Sequence, residues 1–185
     1  KKPKAFMLEN VRNLAAHDNG NTFLVIRKHL EALGYSVYAK VMNALDYGVP
    51  QKRERIIIVG FIDNVFFSFP EPVPTWQRKT LKDILEQNVD EKYYVRDKIR
   101  ESRLMRLKDP NYPKPYISHE NMAGSITPHP YSSCLRAGAS ANYILINDER
   151  RPTEREMLRL QGFPEDFKIV VSYGQIKHQC GNSVA

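Results

Sequence analysis

Lys4-Ala5-Phe6-Met7-Leu8-Glu9-Asn10-Val11 begins as a short apolar run and ends abruptly in polar residues. The pattern predicts a buried parallel strand whose C-terminal end opens into a loop, and that end is where open α/β sheets place their chemistry. Beyond a polar loop rich in Asn and Asp, Thr22 to Gly34 carries apolar residues at Phe23, Ile26, Leu30 and Leu33. This spacing predicts a helix with Thr22 as its N-cap and a glycine as its stop. A strand follows over Tyr35 to Ala39, then the turn Asp46-Tyr47-Gly48-Val49-Pro50, then a second strand over Arg55 to Phe61. Strand, helix, strand, strand reads as the second half of an α/β sheet.

Composition shifts at about Asn64, where Phe69-Pro70-Glu71-Pro72-Val73-Pro74 reads as a linker leaving the sheet. A short helix is predicted over Leu81 to Leu85 and a basic one over Arg96 to Lys108. From Asp109 to Arg150 the chain is rich in Pro, Gly, Ser, Asn and Tyr, with only Tyr143 to Ile146 strand-like, so a small, exposed, basic insertion domain of loops and short strands is expected. Thr153 and Glu156 then stand at capping-box spacing ahead of Met157, Leu158 and Leu160, and Gly162-Phe163-Pro164 ends that helix. A last short helix is expected from Tyr173 to Cys180, stopping at Gly181. The organisation predicted is therefore 1–63, the later part of an α/β domain; 64–150, the insertion; and 151–185, a helix bracing the two and a return to the first.

With 185 residues, 42% hydrophobic and 26% charged, the chain has a globular composition. Its longest apolar stretches, Ile56 to Val59 and Val65 to Phe67, are of strand length and far below the roughly 20 residues that cross a bilayer. Two separated cysteines, Cys134 and Cys180, make neither a disulfide framework nor a zinc site. Without a long apolar leader segment, the expected home is a reducing bacterial cytoplasm, at the nucleoid. A formal charge of +7 favours a polyanionic partner, nucleic acid first.

Four strings carry the chemistry: Phe6-Met7-Leu8-Glu9-Asn10-Val11; Gln51-Lys52-Arg53-Glu54-Arg55; Arg151 to Glu156 continuing to Leu160-Gln161-Gly162-Phe163-Pro164; and Gln179-Cys180-Gly181-Asn182-Ser183-Val184. In this order and spacing they resemble the C-terminal portion of the DNA (cytosine-5)-methyltransferase family, the bacterial modification methylases, at its sixth, eighth, ninth and tenth conserved motifs. The resemblance covers the whole chain. It implies an α/β fold, the distal half of a Rossmann-like S-adenosylmethionine-dependent methyltransferase sheet, with a small mixed, loop-rich target recognition domain between Arg55 and Arg150. It also implies S-adenosyl-L-methionine as cofactor and double-stranded DNA as partner.

Methylation at C5 of cytosine needs a nucleophile at C6, and that addition loads electron density onto N3 and O2. A carboxylic acid kept protonated in a desolvated pocket can donate to N3, which fits Glu9. An arginine over O2 and the neighbouring phosphate stabilises the developing charge, and Arg53 and Arg55 lie two residues apart on one strand face. By resemblance Arg55 takes O2, and Arg53 is shared between phosphate and support. The family gives the third string an organising role, with Arg155 and Arg159 one turn apart to brace the insertion through loop carbonyls. In the fourth, Gly181 permits close approach while Asn182 and Ser183 suit the amino or carboxylate end of the cofactor. For DNA contact the best candidates are the basic helix, with Arg96, Arg100 and Arg103, and the loop Ser132 to Ser140, with Arg136, besides Arg53 and Arg55. A base must also be flipped from the stack, which demands a basic cleft between sheet and insertion.

Plainer roles remain open for each: Glu9 as a loop cap, the arginines as solvated flanks of a strand, Gly181 as a helix stop. Neither the family's Pro-Cys string nor its glycine-rich turn occurs in this sequence. The expectation is a fragment or split subunit, inactive alone, whose partner is the missing N-terminal part. The alternative is a sequence-specific DNA-binding module that transfers no methyl group. An exposed sheet edge at the first strand is expected to pair with another chain.

Overall fold

A computed structural model describes residues 2–185. The chain opens with β1 (Ala5–Val11), two short turns of 3₁₀ helix and α1 (Asn21–Ala32), then β2 (Ser36–Asn43), β3 (Gln51–Lys52) and β4 (Glu54–Phe61). β4 lies centrally, antiparallel to both neighbours, in the order β1-β4-β2. One face packs Tyr35, Val37, Ile56 and Ile58 against Phe23 and Leu30 of α1. Contrary to expectation, β1 is neither buried nor hydrogen-bonded to a parallel neighbour. Among the described residues it is the sheet edge, with Met7 69% and Val11 51% exposed. A short apolar run is compatible with a buried strand and an edge strand alike, so sequence pattern alone cannot separate them.

α1 starts after Gly20, held at φ 87°, and Thr22 sits inside the helix with its hydroxyl 2.7 Å from His17 Nδ1 instead of capping it. Gly34, at φ 91°, closes the helix as expected. The segment after β4 does not simply leave the sheet. Phe67 returns to lie 5.5 Å from both Tyr38 and Phe61, and the Tyr38 hydroxyl donates to the Val65 carbonyl at 2.9 Å.

The second core is built from α2 (Leu81–Ile84), α3 (Asp97–Arg106), β5 (Ile117–Glu120), β6 (Ile126–His129), β7 (Ser132–Ser133) and β8 (Ile144–Ile146). To these the chain adds α4 (Glu154–Leu160) and α5 (Tyr173–Asn182). β5 pairs antiparallel with β6 and β8, giving the order β6-β5-β8. Sequence reading found only β8, because β5 and β6 interleave Ile with Ser, His, Thr and Pro. Their hairpin is made by Asn121, whose side chain accepts from the Ser125 amide at 2.9 Å, and by Gly124 at φ 75°. Leu81, Ile84, Ile117, Ile144 and Ile146 share one cluster with Leu158, Leu160 and Ile176. The apolar faces of α4 and α5 thus join the second core, while carbonyls at and just beyond their C-terminal ends accept from Gln51 of β3 and from Arg53.

α4 begins with the expected capping box, Thr153 Oγ1 accepting from the Glu156 amide at 3.1 Å and Glu156 accepting from the Thr153 amide at 2.8 Å. Glu156, fully buried, is also gripped by both terminal nitrogens of Arg150 at 2.7 Å. Arg159 donates to the Ile84 carbonyl at 2.9 Å, which ties α4 to the insertion, whereas Arg155 donates to the Phe167 carbonyl at 2.9 Å within the C-terminal segment itself and does not reach the insertion. No described helix is long and apolar enough to cross a membrane.

Candidate active site at the seam of sheet and insertion

β1 and β4 run antiparallel with Glu9 opposite Ile57 and Val11 opposite Arg55, so the Glu9 and Arg55 side chains rise diagonally from the same face. Arg55 Nε lies 2.6 Å from Glu9 Oε1, with 18% and 25% of the two side chains exposed. Glu9 therefore stands in a partly open ion pair rather than the fully desolvated pocket expected of it. The neighbouring Arg12 and Glu54, 3.0 Å apart, form a second pair at this strand end.

Short β3, parallel to β7, stitches the first sheet to the insertion: Gln51 faces Ser132 and Lys52 faces Ser133. Gln51 is completely buried, its amide donating to the Leu160 carbonyl at 2.6 Å and its oxygen accepting from the Leu135 amide at 3.0 Å. One side chain thus fixes both the end of α4 and the loop after β7.

Arg53 is 4% exposed. It donates to Cys134 Sγ at 3.0 Å, to the Leu135 and Gly181 carbonyls at 3.3 and 3.4 Å, and to the Ser183 carbonyl. A guanidinium enclosed this way does not present itself to a phosphate, against the expected share in phosphate binding. Arg55 donates to the same sulfur at 3.6 Å, so Cys134 joins both arginines at the site. No local string in the sequence ties Cys134 to Arg53 and Arg55, so this contact has no sequence signal. Cys180, 1% exposed, has its thiol pushed up to about 11 by burial and is inert packing.

Gly181 lies within α5 and does not end it. A Cβ there would overlap the backbone of Ala137, so the missing side chain admits the loop after β7. Ser183 donates its hydroxyl to the Cys180 carbonyl at 3.0 Å, whereas Asn182 is exposed with one 3.3 Å contact to His178. Asn182 is consequently free to turn toward a ligand, and Ser183 is largely committed. A cavity of about 280 Å³ opens beside Arg55, lined by Met42, Tyr47, Val49, Ile57 and the tail at Val184. Arg53 Nε and Gln161 Oε1, from two further lining residues, are buried there without partners.

Of the expected DNA contacts, Arg96, Arg100 and Arg136 are exposed. Arg103 is not: it is 1% exposed and bonds Asp148 at 2.8 Å, Ser118 Oγ at 2.7 Å and the Asn142 carbonyl at 2.9 Å. The inward face of a basic helix cannot be told from its outward face when both carry arginine, and burial removes Arg103 from any DNA-contacting set.

Solved structures share this mixed α/β architecture with methyltransferases. The Schizosaccharomyces pombe Dnmt2 methyltransferase matches with TM-score 0.69 and 18% identity over 98% of this chain and 63% of that one. The Entamoeba histolytica methyltransferase EhMeth matches with TM-score 0.65 and 17% identity over 98% and 58%. In sequence, the model of the C-5 cytosine-specific DNA methylase family matches residues 1–185. The type II methyltransferases M.NgoBI of Neisseria gonorrhoeae and M.HaeII of Haemophilus aegyptius are 51% and 50% identical over the whole chain. The chain belongs to the C-5 cytosine-specific DNA methylase family, whose methyl donor is S-adenosyl-L-methionine. It spans 58% of the length of each of these two relatives.

Proposed function

We propose that this chain forms the part of a DNA (cytosine-5)-methyltransferase that receives the flipped cytosine and carries target recognition. In this reading residues 1–63 belong to the distal half of a Rossmann-like catalytic domain and 64–150 are the target recognition region. The observation that carries it is the Glu9–Arg55 contact of 2.6 Å at the sheet end. N3 and O2 are adjacent on one edge of cytosine, and two adjacent side chains of opposite character match them. Glu9, carrying a proton taken from solvent when the base displaces Arg55 from it, gives a hydrogen bond or proton to N3 and accepts from the exocyclic amine, and Arg55 donates to O2. Both act on charge that appears only when a thiol adds to C6, so their stabilisation is greatest in the transition state. Entry of the base exchanges their mutual contact for contacts to its edge.

Arg53 is a positioning residue that holds the loop at Cys134 and Leu135 and the tail at Ser183 in fixed relation to Arg55. Bound S-adenosyl-L-methionine supplies the methyl electrophile. Of its site this chain offers Asn182 as a polar contact, with Ser183 behind it, and no glycine-rich turn. The thiol and that turn come from an N-terminal partner segment, so this polypeptide alone does not methylate.

Methyl transfer from labelled S-adenosyl-L-methionine to mixed-sequence duplex DNA tests the reading. Label is expected in DNA only when an N-terminal half bearing the Pro-Cys string is added. Silence in the complemented sample, with DNA binding intact, would leave a binding module in its place.

A further inference from the structure

We propose that Arg136 and Lys177 together clamp one phosphodiester of the DNA strand entering the site, an inference that rests on the methyltransferase reading above. The two cations come from different elements, the loop after β7 and α5, and converge on one ring. The Arg136 guanidinium lies 4.9 Å from the Tyr143 centroid and Lys177 Nζ lies 5.9 Å from it. Tyr143 is 5% exposed, and its hydroxyl accepts from the Arg136 amide at 3.0 Å, fixing the loop beneath the guanidinium. The Lys177 amine donates to the Ala139 carbonyl, which holds it at that loop with donors to spare.

No carboxylate balances this pair. Arg12, Arg27, Arg55, Arg78, Arg150 and Arg159 each hold a carboxylate oxygen within 3.0 Å. Arg136 and Lys177 enter no ion pair among the described residues, and the Arg136 side chain donates to no described group. Glu120, which acts on the same His119 as Arg136, is taken by Arg103 and Arg106. The uncompensated charge is felt by its neighbours: Lys177 is held below the usual lysine range by burial first and then by Arg136, and His119 is lowered by burial and then by Arg136. An aromatic ring attracts two cations without neutralising them, whereas an anion bound to both does both.

Position selects the anion. Cys134, which touches Arg53 and Arg55, is two residues from Arg136, a reach of at most about 7 Å. Gly181 brings α5 against Ala137 in the same loop. The loop that carries Arg136 thus also carries Cys134 to the proposed base edge, and the anion that a DNA strand brings to such a loop is its phosphate. The clamp also makes DNA a link between the insertion and α5.

Fluorescence anisotropy of a labelled duplex, titrated with this chain from about 50 to 200 mM salt, tests it, because each neutralised phosphate contributes about 0.9 to the slope of log affinity on log salt. Arg136→Gln and Lys177→Gln are each expected to weaken binding several-fold. The double variant should lower the slope by about 0.9 in total, since one phosphate is released once, and lose about tenfold in affinity near 0.1 M salt. Lys177→Arg should retain binding, and Lys92→Gln, over the separate Tyr93 ring, should change nothing. An unchanged slope in the double variant, with wild-type binding intact, refutes the clamp and leaves the DNA reading standing. A slope loss near 1.8 means two independent phosphates and refutes the shared site. Absence of any salt-dependent binding by the wild type overturns the clamp and the DNA reading together.

Discussion

Replacing Asp148 by Asn separates the two roles a basic helix can have. Asp148 is fully buried and accepts from Arg103 Nε at 2.8 Å, from the Tyr116 hydroxyl at 3.1 Å and from Ser118. Its backbone sits at φ 57°, a left-handed conformation that Asn adopts as readily as Asp, so the substitution removes charge without adding backbone strain. Breaking a buried ion pair from one side costs about 3–5 kcal/mol, because the remaining charge is left desolvated. Arg103 keeps Glu120 at 3.1 Å, a partner 29% exposed, which places the expected loss near the lower bound, about 3 kcal/mol. For a chain of this size that corresponds to a fall in Tm of about 6–12 °C. Thermal and urea unfolding of Asp148→Asn, Arg103→Met and the double variant should also give a coupling energy of about 2 kcal/mol or more. A Tm loss of less than about 3 °C for Asp148→Asn would refute the assignment of Arg103 to the core and return it to the surface.

Four further outcomes follow from particular contacts. Gly181→Ala must push the loop away from α5, so we expect a loss of about 1–3 kcal/mol in stability and, in the complemented enzyme, a drop in activity beyond what the lost stability explains. Gln51→Ala strands the Leu135 amide and the Leu160 carbonyl in a buried seam, costing about 2–5 kcal/mol by denaturant unfolding, whereas Gln51→Glu should restore only the acceptor half. In the second core, burial raises the Cys180 thiol from 9.0 to about 11 and the Tyr143 and Tyr173 hydroxyls from 10.0 to about 12. Because the folded state holds these protons more tightly, their contribution is complete below pH 9 and is lost as pH rises through 11 to 12, and melts across that window should show Cys180→Val resisting alkali better. Thiol alkylation of the native chain should modify Cys134 and spare Cys180, and modified chain should bind DNA more weakly because the adduct displaces Arg53 and Arg55.

The parts of the fold legible in the sequence were those written in short-range signals. The capping box at Thr153 and Glu156, the glycine stop at Gly34 and the apolar β4 all formed where their patterns placed them. β5 and β6 were not legible, because their interleaved polar residues are buried by long-range pairing that no local window contains: Ser118 is fully buried yet bonds Arg103 and Asp148. The same limit governed the site. Glu9 and Arg55 could be named from their strings, but their meeting depends on the β1–β4 register. Cys134 beside Arg53, and Lys177 over Tyr143, join residues far apart in the chain and carry no motif. Arg103 and Arg53 were both expected to meet DNA, and only packing, which no string in the sequence records, turns them inward.

The most direct test of the account is the turnover of the complemented enzyme with Glu9→Gln, measured as kcat and KM for methyl transfer to a cognate duplex. A residue that acts on charge developing at N3 should lower kcat by about 10²–10⁴ while KM for DNA moves little. The ion pair is partly exposed, so the variant should keep nearly its full thermal stability. A kcat within a fewfold of wild type, or a loss that appears only in KM, would contradict Glu9 as the group at the cytosine edge.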